Sequence, residues 1–138
     1  MEKQNIRAVT AEQLGELVDF ISIDVAFISL DKVLPVATTL LKNTGSLVAL
    51  IKPQFEAGKE KVGKGGIVRE RAVHEEVLSR ILQVAYDCKL YLHGLTFSPI
   101  KGTEGNIEFL GYFTKSEEGA LSITDELITA VVDEAHML

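Results

Sequence analysis

The sequence predicts an α/β fold, with a mainly parallel β-sheet that carries helices on both faces. An unbroken apolar run from Leu47 to Ile51 is typical of a strand that is covered on both sides. Segments with helical periodicity alternate with segments rich in β-branched residues, as they do when crossover helices join parallel strands. The last two predicted strands are separated by only about ten irregular residues, too few for a crossover helix, so this pair should run antiparallel.

Composition and length favour a single globular domain. The chain has 138 residues, of which 46% are hydrophobic and 25% charged, which are ordinary values for a soluble protein with one core. No apolar run approaches the ~20 residues that a membrane-spanning helix needs, and the first residues lack the apolar core of a signal peptide. Because the only cysteine, Cys88, has no partner for an internal disulfide, we expect a reducing, cytoplasmic location.

The charge is unevenly distributed along the chain. The formal net charge is −6, which argues against general binding to nucleic acid. Residues 52–71 nevertheless contain six basic and three acidic side chains. A local positive patch of this kind on an acidic body can still contact a phosphate backbone.

The first half of the chain is predicted to contain two helices and two strands. A capping-box pattern at Thr10 begins the first helix, and Ser29 can cap the second, which Pro35 weakens or kinks. Asn43-Thr-Gly45 predicts a turn before the second strand. The expected elements are a helix over residues 10–15, a strand over 18–25, a helix over 30–42 and a strand over 47–51.

The second half begins with a charged, glycine-rich stretch and ends with an acidic helix. Long loops inside compact domains are usually functional, so the stretch over residues 56–70 is a candidate binding loop. Periodicity and β-branched content predict the remaining elements. They are a helix over residues 72–88, strands over 90–96 and 106–114, a polar linker over 116–122 and an amphipathic helix over 124–136.

Three charged residues fall at strand ends that should meet. Asp24 lies near the end of the first strand, and Lys52 follows Ile51, where Pro53 ends the hydrogen-bonded ladder. The final strand runs in the opposite direction, so Glu108, near its beginning, should lie at the same edge. Ligands bind at this edge in open α/β sheets. The alternative is that each charge is an ordinary strand-end residue satisfied by solvent or by a helix N-terminus.

Four segments resemble the hemolysin A/TlyA family of FtsJ-like ribosomal RNA 2′-O-methyltransferases, and the similarity runs from about residue 1 to residue 114. The segments are Asp19-Phe-Ile-Ser-Ile-Asp24-Val-Ala-Phe27-Ile-Ser-Leu30, Lys52-Pro-Gln-Phe-Glu-Ala-Gly58, Val62-Gly-Lys-Gly-Gly66 and Glu104-Gly-Asn-Ile-Glu108-Phe. The resemblance implies the later half of a Rossmann-like class I methyltransferase sheet. Residues 1–115 would form a partial methyltransferase domain, and residues 116–138 a linker and a C-terminal helix packed on it.

The resemblance also implies catalytic roles. Such enzymes use a Lys-Asp-Lys-Glu tetrad, and Asp24, Lys52 and Glu108 match its last three members. A ribose 2′-hydroxyl needs alignment with the methyl donor and removal of one proton. Lys52 would be the base, Asp24 would orient it, and Glu108 would position the ribose or the lysine. The first lysine and the glycine-rich cofactor motif would lie upstream of Met1, so we expect the chain alone to be inactive.

Cofactor and RNA contacts follow from the same resemblance. S-adenosylmethionine is the expected cofactor, and ribosomal RNA or a ribosomal subunit is the expected partner. The expected cofactor contacts are Asn5, Asp24, Val25 and Phe27, although Asn5 could instead cap a turn and Phe27 could instead pack in the core. RNA phosphates could contact four basic residues of the 56–70 stretch, which otherwise form a solvated loop: Lys59, Lys61, Lys64 and Arg69.

Other polar and aromatic residues have weaker functional signals. His74 and His93 have no ligand partners at metal-binding spacing, so no metal is expected. Cys88 is expected to pack rather than to act as a nucleophile. Three aromatic residues are expected in the core rather than as stacking platforms for bases: Phe97, Tyr112 and Phe113.

Two rival functions remain open from the sequence. One is a noncatalytic RNA- or ribosome-binding module that uses the basic residues of 52–71. The other is a membrane-active protein of the hemolysin type, which the acidic helix over 124–136 disfavours because it lacks a basic face. An exposed sheet edge could also pair two copies of the chain into a homo-oligomer.

Overall fold

The computed structural model describes residues 17–24, 29–57, 70–98 and 106–137. These residues form a mixed α/β fold, as predicted, and the element bounds agree with the expected ones to within three residues except at the start of the second strand. In chain order the elements are β1 (Val18–Ile23), α1 (Leu30–Leu40), β2 (Leu41–Ile51), α2 (Pro53–Glu56), α3 (Arg71–Asp87), β3 (Tyr91–Phe97), β4 (Phe109–Thr114) and α4 (Asp125–His136).

The four described strands form one sheet in the order β1-β2-β4-β3. β1 and β2 are parallel, whereas β4 lies between β2 and β3 and is antiparallel to both. The predicted antiparallel pairing of the last two strands is therefore confirmed. The carboxyl ends of β1 and β2 and the beginning of β4 consequently share one edge, which we call the rim.

The start of β2 differs from the sequence prediction. α1 passes directly into β2 at Leu41, and Asn43-Thr-Gly45 lies inside the strand, so the predicted turn is wrong. The turn residues are accommodated by an irregularity in the ladder, because Val18 pairs with Leu41 whereas Phe20 already pairs with Ser46. Lys42, Asn43 and Thr44 in this irregular part of β2 are exposed, which suits their polar side chains, whereas Gly45 is buried.

α1 begins at its predicted cap, Ser29, and α4 also begins with a side-chain cap. Ser29 caps α1 by accepting a hydrogen bond from the Asp31 amide, at 3.3 Å. Thr124 caps α4 in the same way through the Leu127 amide, at 3.1 Å. Pro35 lies inside α1 without ending it. The short helix α2 was not predicted, and it begins at Pro53, whose fixed φ angle suits the first position of a helix.

The core lies on one face of the sheet. Alternate strand residues on this face pack with the buried stripes of α1, α3 and α4, and those with almost no exposure include Leu47, Ile51, Phe109 and Phe113. The residues between them face the other side, where Val48, Leu50 and Leu110 are half-buried and lie outside the core cluster.

Tyr112 is on this second face and its side chain is 40% exposed, so its predicted core position is wrong. Its hydroxyl lies 3.1 Å from Ser46 Oγ instead. Phe113 is in the core as expected, and Phe97 packs against it.

Candidate active site at the rim of the sheet

Asp24 and Lys52 meet at the rim. Asp24 follows β1, Lys52 follows the neighbouring parallel strand β2, and Lys52 Nζ lies 2.5 Å from Asp24 Oδ1. The lysine side chain is only 16% exposed, whereas that of the aspartate is 64% exposed. The stem of Lys52 is thus held by packing while the carboxylate that pairs with it stays accessible from solvent.

Glu108 reaches the same edge from the opposite strand direction. Ile51 and Phe109 are partners in the antiparallel ladder of β2 and β4. Lys52 follows Ile51 and Glu108 precedes Phe109, so both leave the sheet at the same end of this ladder. Glu108 is 6% exposed. Its Oε2 accepts a hydrogen bond from Gln54 Nε2 at 2.9 Å, and Gln54 is only two residues beyond Lys52. All three predicted rim residues therefore lie at one edge, and their catalytic roles stay predictions.

The sequence reasoning missed the part that α2 plays at the rim. Gln54 faces Glu108, whereas Glu56, the last residue of the same short helix, turns toward α1 and α3. Glu56 Oε1 accepts from Ser29 Oγ at 2.5 Å, and its Oε2 accepts from the Leu30 amide at 2.9 Å. A carboxylate at the N-terminus of α1 is favoured by the free amide groups and the helix dipole there.

Arg80 completes this anchor from α3. Its Nη2 donates to Glu56 Oε1 at 3.0 Å and to the Glu56 carbonyl oxygen at 2.8 Å. The Glu56 side chain is 3% exposed, so a buried charge is matched by a guanidinium group and two further donors. The local signal in the sequence was only a proline followed by Gln-Phe-Glu, and nothing in it indicates that Glu56 bridges three helices.

Several predicted site residues fall outside the described part of the chain. For the cofactor these are Asn5, Val25 and Phe27. For RNA they are Lys59, Lys61, Lys64 and Arg69. Their contacts with cofactor or RNA stay predictions. The predicted helix over residues 10–15, which has no assigned function, also lies outside the described residues.

The three histidines all lie close to other polar groups of the chain. His74 Nδ1 lies 2.8 Å from His136 Nε2, and His93 Nε2 lies 2.8 Å from the carbonyl oxygen of Ser116. Within the described residues there is no group of three or more His, Cys, Asp or Glu side chains that could hold a metal ion. None of the helices described is both long enough and apolar enough to cross a membrane.

Comparison with known proteins identifies the class. Residues 1–115 match the model of a family described as FtsJ-like methyltransferase. Because this match covers most of the 138 residues, the chain belongs to the FtsJ-like methyltransferase family. The expected family resemblance is thereby confirmed, and membership of a methyltransferase family implies a cofactor of the S-adenosylmethionine type.

Individual relatives carry related names. The chain is 47% identical over 143 residues to YqxC of Bacillus subtilis, named as a candidate rRNA methyltransferase, and the match covers 99% of this chain and 50% of YqxC. It is 34% identical over 122 residues to the 16S/23S rRNA (cytidine-2′-O)-methyltransferase TlyA of Mycobacterium tuberculosis, covering 88% of this chain and 46% of TlyA. The chain therefore spans about half the length of the curated relatives it matches.

A solved structure agrees with the fold. It is that of a candidate hemolysin from Streptococcus thermophilus, which is 43% identical to this chain. The superposition has a TM-score of 0.87 and covers 99% of this chain and 50% of the other. The rim residues thus lie in a fold whose arrangement of strands and helices recurs in a solved relative.

Proposed function

We propose that this chain carries the catalytic residues of an S-adenosylmethionine-dependent ribosomal RNA 2′-O-methyltransferase. The observation that carries the proposal is the 2.5 Å contact of Lys52 with Asp24 at the same edge of the sheet as the buried Glu108. Membership of the FtsJ-like family and the rRNA methyltransferase names of two relatives support the reaction class. The proposed substrate is the 2′-hydroxyl of a ribose in ribosomal RNA.

In this proposal Lys52 accepts the proton of the ribose 2′-hydroxyl. An ammonium group held by a carboxylate cannot accept a proton, so Lys52 must first lose one. The exposed Asp24 carboxylate gives solvent access to that proton. Asp24 then keeps the amine directed at the hydroxyl, and Glu108 orients the ribose at the neighbouring strand end. The proton of the 2′-hydroxyl would pass to Lys52 Nζ while the methyl–sulfur bond of the donor is exchanged for the methyl–oxygen bond, and Asp24 would again stabilise the protonated lysine.

The described rim residues fit a cofactor of this type. When bound, S-adenosylmethionine supplies an electrophilic methyl group on a positively charged sulfur. The Asp24 carboxylate is suited to lie near that charge, because it is largely accessible and only one of its oxygens is paired with Lys52. We therefore assign two roles to Asp24: it orients Lys52, and it lies near the positive charge of the cofactor.

The proposal is tested by methyl transfer to ribosomal RNA. The chain is assayed by itself and as a replacement for the matching half of YqxC, with radiolabelled S-adenosylmethionine as donor. We expect Lys52→Met to lower the rate of transfer by roughly a hundredfold or more, and Asp24→Asn and Glu108→Gln by about tenfold or more. The product is located by digestion to nucleosides and identification of the 2′-O-methyl nucleoside.

A second ion pair between the same two strands provides matched controls. Lys42 Nζ lies 3.2 Å from Asp19 Oδ1 on the exposed part of β1 and β2, away from the rim. Lys42→Met and Asp19→Asn should leave the rate within about twofold of the unmodified protein, because exposed pairs contribute little. Full activity of Lys52→Met would contradict the proposal. RNA binding that ignores the cofactor, without any transfer, would favour a noncatalytic RNA-binding module instead.

A further inference from the structure

Gln54 lies at the rim, and only one of the two polar atoms of its side-chain amide has a hydrogen-bond partner among the described residues. Its Nε2 donates to Glu108 Oε2 at 2.9 Å. Its Oε1 is buried and has no hydrogen-bond partner among the residues that the structure describes. A buried acceptor without a partner has lost its hydrogen bonds to water and gained nothing in return, so its presence in a folded protein requires an explanation.

Rotating the amide would not remove this unsatisfied acceptor. A carboxylate only accepts hydrogen bonds, so the nitrogen of Gln54, and not its oxygen, must face Glu108. Exchanging the two atoms would set an amide oxygen against a carboxylate oxygen. The orientation of Oε1, away from Glu108, is therefore fixed by chemistry.

The backbone of α2 also keeps Gln54 in place. The Phe55 amide donates to the Lys52 carbonyl oxygen at 2.9 Å, and the Ala57 amide donates to that of Pro53 at 2.9 Å. One turn of helix is thus closed around Gln54, and Glu56 ties its end to α1 and α3. The unsatisfied oxygen is consequently a preorganised acceptor on the helical turn that follows Lys52, next to Glu108.

Such an acceptor suits a ligand that brings a hydroxyl group. We infer that Gln54 is a substrate-positioning residue, in which the side-chain carbonyl oxygen accepts a hydrogen bond from a 2′-hydroxyl of bound RNA other than the one whose proton passes to Lys52, while the amide nitrogen holds Glu108. This inference rests on the function proposed above and names one further residue that recognises its substrate. Gln54 distinguishes RNA from DNA in this arrangement, because only RNA has the 2′-hydroxyl donor.

The test compares three oligonucleotides of the same sequence: RNA, its 2′-deoxy counterpart and its 2′-O-methyl counterpart. The 2′-O-methyl strand keeps the ribose oxygen but lacks the donor hydrogen, so it separates hydrogen-bond donation from sugar geometry. Binding to the full chain and to the YqxC chimera is measured by fluorescence anisotropy. We expect the unmodified protein to bind RNA about tenfold more tightly than either analogue, and Gln54→Met to lose most of this preference.

Two further variants separate positioning from folding. Gln83 on α3 also donates to a carboxylate, Asp87 Oδ1 at 3.0 Å, but on the exposed surface, so Gln83→Met should keep the tenfold preference. Glu108→Gln replaces the carboxylate that fixes the Gln54 amide with a group that can also donate, so it should weaken the preference for RNA as well as methyl transfer. This second result can be obtained even if Gln54→Met fails to fold, which circular dichroism checks.

The outcomes distinguish this inference from the proposed function. If Gln54→Met is folded and prefers RNA as strongly as the unmodified protein, the inference is wrong and the proposed function stands. An undiminished preference for RNA in Glu108→Gln would also overturn it, because the carboxylate would then not fix the Gln54 amide. If Lys52→Met transfers methyl groups at the normal rate while Gln54→Met loses the preference for RNA, the catalytic proposal fails and the role of Gln54 stands. An unmodified protein that binds the three strands equally would overturn the role of Gln54.

Discussion

Lys52 and Lys42 show how the surroundings of a residue decide what it can do. Each lysine pairs with an aspartate across β1 and β2, and the two pairs are indistinguishable by residue type. Lys42 and its partner are exposed, so their attraction is weakened by solvent and salt. Lys52 has a largely buried side chain whose charged end emerges at the rim. Only Lys52 is therefore held in one direction, as a catalytic base must be.

Cys88 provides a prediction at the same scale. Burial, and secondarily the negative charge of Asp87, raise the pKa of the Cys88 thiol above its ordinary value. Because the thiolate is the reactive form, alkylation by iodoacetamide at pH 8 should be slower in the folded chain than in the chain unfolded in urea. The same shift means that the folded protein retains this proton at pH values where the unfolded chain loses it. Stability should therefore decline as the pH rises past the ordinary pKa of cysteine.

Asp87 separates the two causes of this shift. Asp87→Asn removes the charge and leaves the burial, so it should speed the alkylation of Cys88 only slightly. The rate is followed by mass spectrometry over a series of pH values. A folded chain in which Cys88 reacts as fast as in urea would contradict the prediction.

At the scale of an element, β2 depends on a close approach at Gly45. A Cβ atom there would lie 2.9 Å from the backbone carbonyl oxygen of Asp19 and 2.5 Å from Leu41 Cδ1. The carbonyl oxygen belongs to the paired strand β1 and cannot easily move. Gly45→Ala should therefore lower the free energy of unfolding by about 1–3 kcal/mol, measured by urea denaturation.

Gly94 is the matched control for this substitution. It also lies in a strand, β3, but a Cβ atom there would meet its nearest neighbour, Tyr112 Cβ, at an ordinary 3.6 Å. Gly94→Ala should change stability by less than about 1 kcal/mol, and alanine restricts the unfolded chain more than glycine does. Equal effects of the two substitutions would rule out the steric explanation.

At the scale of the whole molecule, Glu56 joins parts of the chain that are far apart in sequence. It binds Ser29 and Leu30 at the start of α1 and Arg80 in α3. Glu56→Gln removes the charge matched to Arg80, although that guanidinium group is partly exposed and so partly compensated by water. We expect a loss of about 1–3 kcal/mol in the free energy of unfolding, with faster hydrogen exchange at the Ala57 amide.

Glu75 is the control for this change. It accepts one long hydrogen bond, from Thr129 Oγ1 at 3.4 Å on the exposed surface between α3 and α4. Glu75→Gln should leave both stability and the exchange rate at Ala57 nearly unchanged. If Glu56→Gln behaves in the same way, the anchor does not hold α2 at the rim.

The parts of the fold and of the site that could be predicted are those that depend on patterns within a few neighbouring residues. β-Branched runs, helical periodicity and capping residues such as Ser29 act over a few residues, and the elements that they predict are present. Asp24, Lys52 and Glu108 could be placed at one edge because strand direction follows from connection length. The predicted turn at Asn43 to Gly45 was wrong because its residues are equally suited to a bulge, which requires knowledge of the partner strand.

The amino-acid sequence by itself determined the fold class, the family and the charged residues at the strand ends, because each of these depends on patterns within short segments. The tertiary structure alone decided which side chains complete the rim. Gln54 meets Glu108, which is 54 positions further along the chain, and Glu56 meets Arg80, which is 24 positions further. Contacts of this kind depend on how α2 is oriented after β2, and that orientation is set by packing against α1, α3 and β4 rather than by any local preference.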